Sequence, residues 1–170
     1  LVPGWQGGGL FMQYISGIWM DNSGTPVGDS SVKFAKAQIE WAKQIGSPVW
    51  GWSACDNPDG GYLGWGGLVD PVVTPHASVL AVEHFPHEVV ENLQALEKLG
   101  VRSTSDGFFD SVNWKTGKVS KHFLVLDQGM VFLSLANYLD NGIVRKWFQA
   151  AKAVKNAREM ALLPYTSTAR

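Results

Sequence analysis

The chain has 170 residues, about the length of one domain, with 45% hydrophobic and 17% charged side chains and a formal net charge of −1. That balance leaves no basic footprint for a nucleic-acid partner, and no apolar run approaches the roughly 20 residues of a membrane span. Cys55 is the single cysteine, which excludes an intramolecular disulfide, and the composition calls for no cofactor.

Taken in chain order, residues 10–20 are apolar on most sides and predict a buried helix, which Gly17 weakens. A Gly/Pro/Asn/Asp loop follows to Asp29. Asp29 or Ser30 is then the expected cap of a helix over 31–45, with Val32, Ala35, Ile39, Ala42 and Ile45 as its apolar stripe and Gly46 as its stop. Residues 46–74 read as a long loop. Pro75 begins a short helix through Val82, and Pro86 begins another in which Val89, Leu93, Leu96 and Leu99 share a face before Gly100 ends it. Two runs around Lys115-Thr116-Gly117-Lys118 predict a hairpin within 107–123. Asp127 opens a helix to Leu139 that is apolar nearly all round and should lie inside the fold. A basic, outward-facing helix over 143–162 follows. Residues 1–148 thus form the main body, and 149–170 a C-terminal helix and tail.

The chemistry concentrates in the long loop. Trp50-Gly51-Trp52-Ser53-Ala54-Cys55-Asp56 and Asp59-Gly60-Gly61-Tyr62 set flat aromatic rings beside carboxylates on a glycine-shaped backbone. Such rings can cover the apolar faces of a pyranose while the acids accept its hydroxyl hydrogens. The same residues serve equally well as an aromatic plug with Asp-stabilised turns. Asp56 and Asp59 divide between those readings, as do Trp50, Trp52, Tyr62 and Trp65. His76, directly after Pro75, is a satisfied structural histidine or a substrate contact. Asp110 and Asn113 fall in a strand pattern that disfavours them, and beside three aromatics they read as a functional edge no more readily than as ordinary structural residues. Asp127 caps its helix, points into a cleft, or does both. His84 and His87 share no helical face, so neither is assigned to a metal.

Several of these segments, in order, resemble the glucoamylase-like family, which includes endo-β-1,2-glucanases and the transglycosylating domain of cyclic β-1,2-glucan synthases. The resemblance is carried by Trp50–Asp56 with Asp59–Tyr62, by Val73-Thr74-Pro75-His76-Ala77-Ser78, and by Pro86 with Glu91-Asn92-Leu93. Gly107-Phe108-Phe109-Asp110-Ser111-Val112-Asn113 and Asp127-Gln128-Gly129 complete it. It implies a mainly α fold, an (α/α)6 toroid of which this chain would be the C-terminal half. It also implies glucan cleavage, transfer or binding at the toroid mouth, and a periplasmic or secreted location. On that reading Asp56 and Asp127 are the nominated acids. Trp50, Trp52, Asp59, Tyr62, His76, Asp110, Asn113 and Gln128 are the nominated substrate contacts. The family's G-G-S-M-F-E motif ends here in Met12, so an acid that carries chemistry in relatives is missing. The alternative is a glycan-binding or scaffold protein without catalysis, or a piece of a longer enzyme. The expected partners are a glucan oligosaccharide and either a missing N-terminal half or a second copy of the chain.

Overall fold

A computed structural model describes residues 9–64 and 71–161; Trp65 lies outside this range. The chain is mostly helical. Helix α1 (Leu10–Trp19) is followed by α2 (Pro26–Gln44), then by the two-residue strands β1 (Cys55–Asp56), β2 (Tyr62–Leu63) and β3 (Val72–Val73). Helices α3 (Pro75–Val79) and α4 (Pro86–Lys98) precede the hairpin β4 (Ser111–Asn113) and β5 (Lys118–Ser120). The chain closes with α5 (Val125–Leu139), α6 (Ile143–Ala150) and α7 (Lys152–Ala161).

Helix α2 starts earlier than the sequence pattern indicates. Thr25, not Asp29 or Ser30, is the N-cap: its Oγ1 accepts from the Gly28 amide at 3.1 Å, and Pro26 sets the first turn. Ser30 and Ser31 are instead buried, and the Ser31 hydroxyl donates to the Gln13 carbonyl at 2.6 Å, tying α2 to α1. Gly46 and Gly100 end α2 and α4 in left-handed backbone at φ of +69° and +76°, which L side chains rarely adopt.

The hairpin forms as expected and acquires a third strand. Val72 and Val73 pair antiparallel with Asn113 and Val112, giving the order β3-β4-β5. β3 is only two residues long and flanked by turn residues, too short for an alternating pattern to announce it. The expected helix over 143–162 is two helices, because Ala151 takes an extended backbone at ψ +130°.

The centre of the fold is the extended segment Val49–Ser53. Trp50 and Trp52 lie in the core, with Trp52 at 0% exposure. Their backbone groups are met by side-chain amides. Asn92 of α4 accepts from the Trp50 amide at 2.9 Å and donates to its carbonyl at 2.8 Å. Gln38 of α2, itself fully buried, does the same for Trp52 at 2.8 and 2.9 Å. Between them the Gly51 carbonyl accepts from the Thr74 amide at 2.9 Å. Gly51 has φ +118°, and a Cβ there would stand 2.8 Å from the Thr74 carbonyl oxygen. No other residue fits this crossing of two backbones.

Helix α5 differs most from expectation. Its buried positions are Asp127, Met130, Ser134 and Asn137. Its apolar residues Val125, Phe132 and Leu139, seven apart on one face, are 88%, 71% and 77% exposed. The helix packs Met130 and the half-buried Val131, Leu133, Leu135 and Ala136 against the core beside its buried polar residues, and turns a second apolar stripe outward.

Asn92 serves both backbone groups of Trp50, whereas the Trp52 carbonyl also accepts from the Leu10 amide at 2.9 Å, so that losing Gln38 strands the Trp52 amide alone. Asn92→Leu and Gln38→Leu are expected to destabilise by about 1–3 kcal/mol per stranded group. Gly51→Ala is expected to cost about 1–3 kcal/mol through its forbidden φ, with the contact at Thr74 added. Urea unfolding with an unchanged m value measures all three.

Candidate functional site

Thr74 and Pro75 set the start of α3, and this places His76 next to the first turn of α5. His76 is buried; its Nδ1 is 2.7 Å from Thr74 Oγ1 and 3.1 Å from Asp127 Oδ2. Asp127 stands in the first turn of α5, where the helix dipole favours a carboxylate, and is buried as well. Asp110 precedes β4 and is also buried. Its Oδ2 accepts from the Asp56 amide at 2.6 Å, and its carboxyl is hydrogen-bonded to that of Asp127. Asp110 Oδ1 and Asp127 Oδ2 are both buried and make no well-formed hydrogen bond to a donor among the described residues, the nearest ring nitrogen being His76 Nδ1 at 3.1 Å from Asp127 Oδ2. A proton held by Asp110 satisfies this arrangement, since two acceptor-only carboxylates cannot pair. Burial and the Asp127 carboxyl together push Asp110 up to about 8. Asp110 is therefore a neutral acid at neutral pH. These groups line a pocket of about 100 Å³ together with Gln128, Phe108 and Val131. Gln128 is held in place by donating to the Phe108 carbonyl at 3.1 Å.

The loop from β1 to β2 flanks this pocket. Tyr62 is 61% exposed and lies within electrostatic reach of the carboxyl pair. Its phenol is pushed up first by partial burial and then by the charges of Asp127, Cys55 and Asp110. Asp56 reaches the pocket through its main chain: its amide meets Asp110, and its carbonyl accepts from the Ser111 hydroxyl. Its side chain turns away, to Ser120 Oγ and to His122 Nδ1 at 2.8 Å. Those hydrogen bonds hold the Asp56 carboxyl below the usual range, so it remains an anion and is unsuited to donate a proton.

The remaining nominated residues are dispersed. Trp50 and Trp52 are enclosed in the core and offer no face to a sugar. Asp59 is exposed and paired with Lys118 Nζ at 2.8 Å. Asn113 is committed to the hairpin turn, where its Oδ1 accepts from the amides of Lys115 at 3.1 Å and Thr116 at 3.2 Å. This is an Asx turn, the reason an Asn sits at a strand end. No group of three or more metal-binding side chains occurs among the described residues. Sequence reasoning missed Ser120, which ends β5, and His122, two residues beyond it; their i, i+2 spacing was the available signal. It also missed Gln38, a polar residue inside the apolar stripe of α2.

The raised Asp110 acid fixes a pH dependence. Its folded value lies above the unfolded value of 3.8, so its contribution to stability is full below about 4 and is lost as pH rises toward about 8. Unfolding free energy is expected to fall by as much as ~1.4 kcal/mol per pH unit in that window. Asp110→Asn should flatten the slope. Urea midpoints of both proteins at pH 5 and pH 8 measure it.

This geometry can be set beside known proteins. The family model named Glycoamylase matches residues 2–152. A stretch of 94 residues is 28% identical to cyclic β-(1,2)-glucan synthase NdvB of Rhizobium meliloti, covering 51% of this chain and 3% of that protein. Among solved structures, an endo-β-1,2-glucanase from Chitinophaga pinensis, in complex with sophorotriose and glucose, aligns with a TM-score of 0.77 at 18% identity. That alignment covers 89% of this chain and 40% of the other. A β-1,2-glucanase from Parabacteroides distasonis aligns at 0.76 and 19%, covering 88% and 24%. The chain thus has the fold of part of a helical toroid and spans well under half of these relatives. A separate likeness is to ribosomal protein bS18. It amounts to 86% identity over 22 residues of the Salinispora arenicola protein and 41% over 61 residues of the Kineococcus radiotolerans one, the latter covering 36% of this chain and 73% of that protein. By the match that takes in nearly its whole length, the chain belongs to the glucoamylase-like family.

Proposed function

We propose that this chain forms one wall of a β-glucan site in which Asp110 and Asp127 act as a single proton-sharing acid. The observation that carries this reading is the buried carboxyl pair, with Asp110 raised to about 8 beside the exposed ring of Tyr62. A raised carboxyl protonates a glycosidic oxygen, and an adjacent aromatic ring orients a pyranose. The β-1,2-glucan named for several relatives supplies the substrate class to test.

Glycoside cleavage requires two carboxyl groups flanking the bond, about 5–5.5 Å apart for retention and 6.5–9.5 Å for inversion. Asp110 and Asp127 are in hydrogen-bonding contact, too close to stand on opposite sides of a sugar ring. They supply one role, and the second carboxylate must come from elsewhere. Asp56 is turned toward Ser120 and His122, and position 12 is Met. The chain alone is therefore a glycan-binding half-site, and cleavage or transfer requires a second carboxylate brought into range.

Calorimetric titration with linear β-1,2-glucan oligosaccharides should give saturable binding without new reducing ends. Tyr62→Ala should weaken it about tenfold, a contribution typical of an aromatic contact. No binding by any β-glucan would overturn the reading. Turnover abolished by Asp127→Asn would replace it with an autonomous enzyme.

The exposed face of α5 supports a further part of the proposal: more protein covers it, either additional helices of the same toroid or a second copy. Contiguous apolar surface of this kind is uncommon on monomers. The isolated chain should self-associate in sedimentation, and Phe132→Asp should reduce that. A compact 18.6 kDa monomer would contradict it.

A further inference from the structure

Asp56 and Tyr62 are direct partners across the β1–β2 ribbon, so their side chains leave it from the same side. Tyr62 lies within electrostatic reach of Asp110 and Asp127, and Asp56 holds the ring of His122. The exposed phenol therefore neighbours the carboxyl pair on one hand and the Asp56–His122 link on the other.

That link fixes one imidazole in one state. Asp56 Oδ2 receives the hydroxyl of buried Ser120 and His122 Nδ1, the latter at 2.8 Å. Those two bonds, Ser120 first and His122 second, hold the Asp56 carboxyl below the usual range, so it is an anion that can only accept. Nδ1 must then carry a proton, and in the neutral ring Nε2 is left as a lone-pair acceptor. The His122 side chain is 72% exposed, and Nε2 has no hydrogen-bond partner among the described residues. The backbone is tied as well: the His122 carbonyl accepts from the Asp110 amide at 3.0 Å, which couples the position of the ring to the acid pair. An exposed pair of this kind adds little to stability. What it secures is orientation, which lowers the cost of binding a ligand there.

We propose that His122 is a substrate contact whose Nε2 accepts a hydrogen bond from a hydroxyl of the glucose unit next to the one covered by Tyr62, and that Asp56 is its positioning residue. The assignment rests on the β-glucan reading of the site and adds a second sugar position to it. Every glucose unit offers hydroxyl donors, so a neutral imidazole acceptor has a match, and the carboxyl pair is left to the glycosidic oxygen. The task also suits a permanent anion: Asp56 works by holding His122 and not by giving up a proton.

The test is calorimetric titration of the full chain with the β-1,2-linked disaccharide and trisaccharide of glucose, beside NMR of the imidazole nitrogens. The trisaccharide should bind about tenfold more tightly, the worth of one well-formed hydrogen bond. His122→Ala should lower the trisaccharide to the affinity of the disaccharide. Its melting temperature should not fall, because the side chain is exposed, which separates lost recognition from lost folding. Asp56→Asn should lower the trisaccharide equally, since an amide can donate to Nδ1 and so move the ring proton to Nε2. The double variant should be no weaker than either single one, as two residues acting through one contact are not additive. At about pH 7.5, where free imidazole is neutral, the ring proton should sit on Nδ1 in the unsubstituted protein and on Nε2 in Asp56→Asn. Lys121→Gln, at the exposed neighbouring position, should alter neither binding nor ring proton. A trisaccharide that binds no more tightly than the disaccharide, or is indifferent to His122→Ala, would overturn the assignment and leave the β-glucan reading standing. So would additive losses in the double variant, or a neutral ring protonated on Nε2 in the unsubstituted protein. No binding of either sugar would overturn both.

Discussion

The structure depends on two side-chain amides that act as surrogate strands. Val49–Ser53 runs extended through the core without belonging to a sheet among the described residues, and buried backbone groups without partners are costly. Asn92 and Gln38 each present a donor and an acceptor at the spacing of a peptide group, and so complete Trp50 and Trp52 from opposite sides. The Gly51 carbonyl then takes the Thr74 amide, which fixes where α3 begins. That start places His76 beside Asp127, and Asp127 beside Asp110. The position of the carboxyl pair thus follows from how a strand-like segment is satisfied inside a helical protein.

The pair itself results from competing electrostatic terms. Burial and the neighbouring Asp127 carboxyl disfavour charge on Asp110, while the Asp56 amide favours it. One proton between the two resolves the conflict without a buried dianion. The network fastened to His122 and Ser120 matters here, because it determines that Asp56 brings an amide rather than a carboxylate to Asp110. With its carboxylate turned inward, Asp56 would press a second negative charge on the singly charged pair.

The helices, their glycine stops and the hairpin were legible in the sequence, because periodicity and turn chemistry are local signals. The ordered motifs gave the family. The Trp50 and Trp52 rings were not legible as core, since an aromatic in an irregular segment reads alike whether it faces solvent or interior. Asn113 was equally ambiguous, as one residue type serves both an Asx turn and a sugar contact. The pairing of Asp110 with Asp127 joins residues 17 positions apart by number and depends on the crossing at Gly51, which no window on the sequence contains.

Helix α5 shows why overall hydrophobicity is a poor guide to orientation. Its apolar residues outnumber its polar ones, yet the chain buries Asp127, Ser134 and Asn137 against itself. Asn137 accounts for part of this: it donates to the Ile18 carbonyl at 2.9 Å and accepts from the Val144 amide at 3.0 Å, tying α1, α5 and α6 at one point. Such specific bonds orient a helix when every face is greasy enough to be buried. The outward heptad of Val125, Phe132 and Leu139 then has the regular spacing that receives another helix. A helix with polar contacts inward and an apolar stripe outward is one built to be enclosed on both sides, as an inner helix of a toroid is.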